Sequence, residues 1–203
     1  MGIKVNQETL QMIADLSNAR GASGFEDETV QAAAKHIGEG YTTEEDCLRN
    51  FYMYRTANSG NKPVFMLDAH SDEVGFMVHS IRPNGTLRFV ALGGWNVGSL
   101  ASSKVLVRNS EGKYLPGVIA AKPVHFMSAS EKASAGAADI SSLSIDIGAV
   151  SAKDAAENFK IRIGEPVVPD VTLEYDEEHD LMFGKAFDCR IGWAQLSSRR
   201  SAG

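Results

Sequence analysis

The run PVFMLDA, residues 63–69, limits what this chain can fold into more than any other stretch. Val64, Phe65, Met66 and Leu67 follow one another with no polar alternate, over a length that suits a strand. Such a run predicts a central strand buried on both faces, as in the sheets of α/β proteins. It meets an acid at Asp68, and His70, Asp72 and Glu73 come directly after. In open α/β sheets, ligands and catalytic groups gather at the carboxyl ends of strands. A neutral imidazole there is a good zinc or cobalt ligand. Asp72, two residues on, has the reach to hold the other ring nitrogen and fix the tautomer. The same residues also suit a plain turn in which the histidine only hydrogen-bonds an acid.

Upstream, Leu10, Ile13, Ala14 and Ser17 fall at helical spacing, predicting a helix over 7–19. The breakers of RGASGFEDE then lead into a second helix, with Val30, Ala33, Ala34 and Ile37 as its stripe. Residues 41–48 and 51–57 read as strands. After residue 73 the grammar changes to short strands separated by turns: EVGFMVHSI, TLRFVAL after the turn RPNG, KVLVRN, then YLPGVIA after the turn NSEGK. Residues 128–142 are small and polar and read as a loop. LSIDIGA is a strand, and SAKDAAENF a helix capped by Ser151, with Asp154 in an acidic variant of the capping box. IRIGEPVVPD, VTLEY and LMFGKAF add strands. DCRIGWAQL begins like a buried helix, with Ile191, Ala194 and Leu196 on its apolar face. The order helix–helix–strands, all-β middle, and return predicts a small β domain inserted into an α/β domain.

Bulk properties narrow the partners. Over 203 residues, 43% hydrophobic and 23% charged content is that of a soluble globular protein. A net charge of -6 with no Lys/Arg block argues against nucleic acid. No apolar run approaches the ~20 residues of a membrane span, and the N-terminus is polar where a signal peptide needs an apolar stretch. The two cysteines, Cys47 and Cys189, form no CxxC pair, which speaks against a disulfide framework and fits the cytoplasm.

A second chemistry-bearing segment is GKAFDCRIG, 184–192. Its acid, Asp188, follows an apolar strand at what reads as a strand-to-helix corner. Asp188 has two readings: a bridge between cations, or a helix cap with Arg190 as its ion-pair partner. Cys189 likewise reads as a soft ligand or as a lone buried thiol. The acidic turn DEEHD around His179 reads as a cation trap or a solvated loop.

Together, AHSDEVGFMV and GKAFDCRIG resemble the metal-site motifs of the dinuclear aminopeptidases that assemble into tetrahedral particles. That family includes glutamyl, leucyl and lysyl aminopeptidases, and some members carry an old endoglucanase label. GASGFE, PGVIAAKPVHFM, LSIDIGA with SAKDA, and IGEPVVPD agree in order, so the resemblance runs from about residue 16 to 194. It implies a phosphorylase/hydrolase-like mixed sheet with flanking helices, carrying a small β-barrel or PDZ-like dimerisation domain. The boundaries it suggests are 1–73 for the first part of the catalytic domain, 74–176 for the inserted domain and 177–203 for the return. It further implies that His70 is a terminal ligand of one metal, that Asp72 orients it in a catalytic role, and that Asp188 bridges two divalent ions, zinc or cobalt. The substrates implied are short peptides, trimmed from the N-terminus by a homo-oligomer built from dimers into a dodecamer.

The pattern is incomplete. After Asp188 the chain reads CRIGWAQLSSRRSAG, with no Asp, Glu or His. The family draws its base glutamate, a neighbouring ligand glutamate, a further acid and a last histidine from beyond this point. Cys189 stands where the family has Asp or Asn. The expectation is therefore the front part of a longer enzyme, inactive alone, since a catalytic zinc usually takes three protein ligands. Two alternatives remain. One is a non-catalytic product whose β domain still self-associates. The other is a glycoside hydrolase, which needs two carboxyl groups ~5–9.5 Å apart; Asp68, Asp72 and Glu73 are too clustered in sequence to decide that.

Overall fold

A computed structural model describes residues 5–58, 60–129 and 139–198, the side chains of 124 and 195–198 excepted. The fold is mixed α/β and divides into two compact units. One unit comprises the described residues up to Glu73 together with those from Val171 onward; the other is Val74–Asp170. Among the described residues, no helix is long and apolar enough to cross a membrane.

In the first unit, helix α1 spans Gln7–Asn18 and helix α2 spans Asp27–Lys35. The Asn6 side chain accepts from the Thr9 backbone N–H and so satisfies one of the free donors at the start of α1. Met12, Ile13 and Leu16 lie on one face of α1 and are buried against Ala32 and Ala33 of α2 and against Trp193 and Ala194. Trp193 belongs to the last helix, α4, Phe187–Ser198. His36, at the end of α2, closes the corner by placing Nε2 2.7 Å from Asp15 Oδ2 of α1. Two hairpins complete the unit. They are β1 (Tyr41–Glu45) with β2 (Phe51–Arg55), and β9 (Glu174–Asp176) with β10 (Leu181–Phe183). At the second hairpin, Tyr175 donates to Asp180 at 2.6 Å, and His179 Nδ1 lies 2.7 Å from Asp176 Oδ2. The turn is thus held by its own side chains.

The run 63–69 departs from its sequence reading. It forms no strand, and Val64, Phe65, Met66 and Leu67 are exposed, Phe65 to 90%. An apolar run becomes a buried strand only when neighbours pair with its edges and cover both faces. Among the described residues no strand pairs with it. Ties to its backbone are seen at and beyond its far end, where the Ala69 carbonyl accepts from the Trp193 indole and a parallel bridge joins Ala22 to Glu73.

The second unit is a closed six-stranded antiparallel barrel in the order β3-β4-β7-β6-β5-β8. Its strands are β3 Gly75–Ile81, β4 Leu87–Leu92, β5 Lys104–Arg108, β6 Tyr114–Ala120, β7 Ser144–Asp146 and β8 Pro166–Pro169. Alternation puts Phe76 and Val78, Leu87 and Phe89, Val105 and Val107, with Ile119, Ile145 and Val167, into one core. Burying each such side chain stabilises by about 1.5–3 kcal/mol before entropy is counted. A bulge after Val78 leaves His79 outside the register and exposed. Trp95 stacks on Phe76 with ring centres 4.7 Å apart and donates to the Gly75 carbonyl, covering one end of the core. The cap of helix α3, Ala152–Glu157, has the form the sequence suggests: Ser151 Oγ accepts from Asp154 N–H. The return bond goes one residue further out, from Val150 N–H to the Asp154 carboxylate. That bond holds the Asp154 carboxyl below its ordinary pKa. Of the loop expected over 128–142, residues 130–138 lie outside the described residues, and Ile140–Ser142 form a 3₁₀ turn capped by Asp139.

The β3–β4 turn depends on Gly85. Its φ is +87°, and a Cβ there would lie 2.3 Å from the Ala149 carbonyl oxygen. Gly85→Ala meets both a positive-φ penalty and a backbone clash. It is expected to destabilise the barrel by more than about 1 kcal/mol, read as a lower urea midpoint. An unchanged midpoint would contradict this turn geometry.

Candidate metal centre

The centre lies in the first unit, where the segment 68–73 meets the start of α4. Asp188 and Cys189 have non-helical backbone angles, so the regular part of α4 begins only after them; the peptide bond between the two is cis. The Asp188 side chain is 95% exposed and projects from this corner. His70 faces it, with Nε2 3.6 Å from Asp188 Oδ1. On the other side of the ring, Nδ1 lies 3.1 Å from Asp72 Oδ1. The second oxygen of Asp72 accepts a short hydrogen bond from the Ser23 hydroxyl, in the GASG turn. Asp72 is thus held in place and in turn holds the ring. With a proton on Nδ1, the Nε2 lone pair faces Asp188.

A third donor joins them. One ligand atom each from His70, Asp188 and Cys189 lie within 4.8 Å of one another. Cys189 is half-buried, and its thiol is pushed above its ordinary pKa, first by its hydrogen bond to the Asp188 carboxylate and then by burial. The His70 backbone N–H acts in the opposite sense. An N/O/S set of this kind suits a borderline divalent ion such as zinc. Tetrahedral bonds of ~2.0–2.3 Å put ligand atoms roughly 3.4–3.6 Å apart. The His70–Asp188 pair already has that spacing.

Beneath the exposed donors is a buried network. Arg190, 1% exposed, turns inward, away from the ion-pair role with Asp188 that its sequence position suggests. Its Nε donates to the Ser71 carbonyl at 2.9 Å, and Nη1 donates to the carbonyls of Leu16 at 2.9 Å and Ala19 at 2.6 Å. Nη2 lies 3.7 Å from Glu73 Oε1. Glu73, 5% exposed, takes both carboxylate oxygens to Lys185 Nζ, at 2.7 and 2.9 Å, and also accepts from Gly21 N–H. Burial lowers the pKa of both Lys185 and Arg190, and the Glu73 charge opposes that shift in each. Trp193 adds a bond from its indole N–H to the Ala69 carbonyl at 2.6 Å. These ties join residues 69–73, the end of α1 and the segment from Lys185 into α4. Gly21 is needed here, because a Cβ on it would lie 2.4 Å from Thr29 Oγ1 and 2.8 Å from Arg190 Nη2.

The structure therefore brings together His70, Asp72 and Asp188, and adds Cys189. Asp68 remains exposed. The sequence marks Glu73 only as one of several clustered acids and assigns Lys185 and Trp193 no part in the site, because their partners lie far away along the chain. On the apolar face of α4, Ala194 is buried and Ile191 partly so; the Leu196 side chain is outside the described residues.

Removing the guanidinium should be severe. Arg190→Met leaves the Leu16 and Ala19 carbonyls unpaired and is expected to cost about 3–5 kcal/mol. Arg190→Lys should not restore this, since one ammonium cannot reach acceptors in three directions. Urea unfolding followed by circular dichroism measures both, and a loss under about 1 kcal/mol contradicts the assignment.

The chain is similar to known proteins over most of its length. A family model described as M42 glutamyl aminopeptidase matches residues 50–199. The glutamyl aminopeptidase of Lactococcus lactis subsp. cremoris (strain MG1363) is 31% identical over 186 residues, covering 91% of this chain and 52% of that protein. The crystal structure of a TET aminopeptidase from Thaumarchaeota archaeon SCGC AB-539-E09 superposes with a TM-score of 0.86 at 31% identity, over 95% of this chain and 53% of that one. The TET1 peptidase of Pyrococcus horikoshii, 23% identical, shares the fold with a TM-score of 0.74 over 93% of this chain and 54% of its own. The chain spans about half the length of the relatives it matches.

Proposed function

The chain belongs to the M42 glutamyl aminopeptidase family, and from that membership we propose that it supplies part of a metal centre that releases N-terminal amino acids from short peptides. The observation that carries this reading is the 3.6 Å approach of His70 Nε2 to Asp188 Oδ1, with Asp72 on the opposite ring nitrogen.

In this reading His70 and Asp188 hold divalent metal, zinc or cobalt, and Asp188, with two oxygens open to solvent, is the group able to serve two ions at once. Asp72 keeps the proton on Nδ1, so that the ring offers its lone pair and not an N–H. Ser23 keeps Asp72 from rotating away. A bound divalent ion supplies a Lewis acid for the peptide carbonyl and makes its bound water more acidic. The described residues bring three donors together, whereas a catalytic zinc usually takes three protein ligands for itself. A two-ion centre thus needs donors beyond these three. The first unit, around residues 1–73 and 177–203, is read as the catalytic part and the barrel region, around 74–176, as a PDZ-like dimerisation domain. Val90, Val118, Val150 and Ile163 are exposed apolar side chains of the barrel unit, and they favour its association with a second copy. The TET1 peptidase of Pyrococcus horikoshii is described as assembling into a tetrahedron or a large octahedral shell, and a dodecamer built from dimers is the matching expectation here. A cytoplasmic setting fits the unpaired cysteines.

The second reading, self-association without turnover, rests on those same exposed barrel side chains. Metal uptake by the 203-residue chain separates the two, and two further measurements test what they share. Metal uptake measured by calorimetry should fall by about 10–100-fold or more in His70→Ala and Asp188→Ala. Sedimentation should report a species larger than one chain. Release of N-terminal residues from peptides should be absent for this chain by itself. Uptake unaffected by either substitution would remove the metal-centre reading.

A further inference from the structure

We propose that Cys189 is itself a metal ligand, so that His70, Asp188 and Cys189 form a three-donor site for one borderline-soft divalent cation. This rests on the metal-centre reading above and goes beyond it by naming a sulfur donor and, with it, a class of ion.

The argument begins with position. Cys189 follows Asp188 at the irregular start of α4, where neither residue has helical backbone angles. A thiol on the first regular turn would follow the face of the helix; here its sulfur is left near the carboxylate and the imidazole. The three candidate atoms lie within 4.8 Å of one another, so each must move by no more than about an ångström to reach tetrahedral spacing. The imidazole is already oriented by Asp72, and the Asp188 carboxylate is exposed to solvent beside the Cys189 thiol. Below them, Arg190 ties its own backbone segment to Ser71, next to His70, which fixes the separation of the two strands of chain that carry the donors. The other thiol, Cys47, lies in the exposed turn between β1 and β2 and is not in the cluster.

Chemistry then selects the ion. One nitrogen, one oxygen and one sulfur favour zinc or cobalt over magnesium, manganese or calcium, which prefer oxygen donors. On binding, a sulfur–metal bond forms and the S–H bond breaks, so one proton leaves Cys189 for the solvent per ion bound. Three protein donors leave a fourth position for water, as in open zinc sites.

Cobalt(II) alone is the probe, because thiolate ligation gives a near-ultraviolet sulfur-to-cobalt charge-transfer band that nitrogen and oxygen ligands do not. The reduced 203-residue chain should bind one cobalt per chain and develop that band. Cys189→Ser should abolish the band and weaken cobalt binding by about 10–100-fold or more. Cys47→Ser should leave both unchanged. If cobalt binds, depends on His70 and Asp188, and yet gives no charge-transfer band, or a band that survives Cys189→Ser, the sulfur ligand is overturned while the metal centre stands. If the chain, with its circular dichroism showing it folded, takes up no cobalt at all, the sulfur ligand and the metal centre fall together.

Discussion

The first unit depends on one buried cation. Arg190 spends its donors on the carbonyls of Leu16, Ala19 and Ser71, with Glu73 as counter-charge. Two of those carbonyls stand at the C-terminal end of α1, where helix geometry leaves acceptors without partners and the dipole favours positive charge. The guanidinium therefore performs three tasks with one side chain: it finishes α1, it fastens the stretch after His70, and it neutralises Glu73. Burying a guanidinium, an ammonium and a carboxylate together is costly, and a well-packed apolar cluster is often as stable. What the ions add is direction. Each N–H selects one carbonyl, and a sliding of either chain segment breaks several bonds at once. Two side chains borne on distant segments, as His70 and Asp188 are, keep their spacing only with that kind of registration.

The donors themselves show the opposite physics. His70 and Asp188 are exposed, while their anchors are buried. Rigidity comes from below and charge faces outward. A carboxylate left in water keeps its negative charge at little cost, and so remains ready to meet a cation. The barrel unit has no such division. Its buried cluster is apolar, and its polar bonds close turns and caps or, as between Arg108 and Glu165, flank the strands.

Features with local causes were legible in the sequence. The Ser151 cap, the RPNG turn and the alternating strands of the barrel each rest on a few neighbouring residues, so reading those residues is enough. The His70–Asp72 hydrogen bond also spans only two residues. The stretch Val64–Leu67 misled because burial is a property of what surrounds a segment, and the segment does not contain its surroundings. Arg190 misled for a related reason. Its nearest acid in sequence is Asp188, but its partners come from the end of α1 and from residues 71–73. The nearness of His70 to Asp188 had no local signal; only the ordered resemblance of several segments to one family pointed to it.

The tie between Glu73 and its two cations also has an order in time. A ribosome delivers Glu73 first, then the whole barrel, and only afterwards Lys185 and Arg190. At about 5–20 residues per second, the nascent carboxylate waits on the order of 5–20 s for its countercharges. Throughout that interval the α1–α2 pair lacks the helix that covers it, and by its end the barrel has all of its strands. Vectorial synthesis thus completes the strands of the barrel before the segment that carries Asp188 and Arg190 has been made.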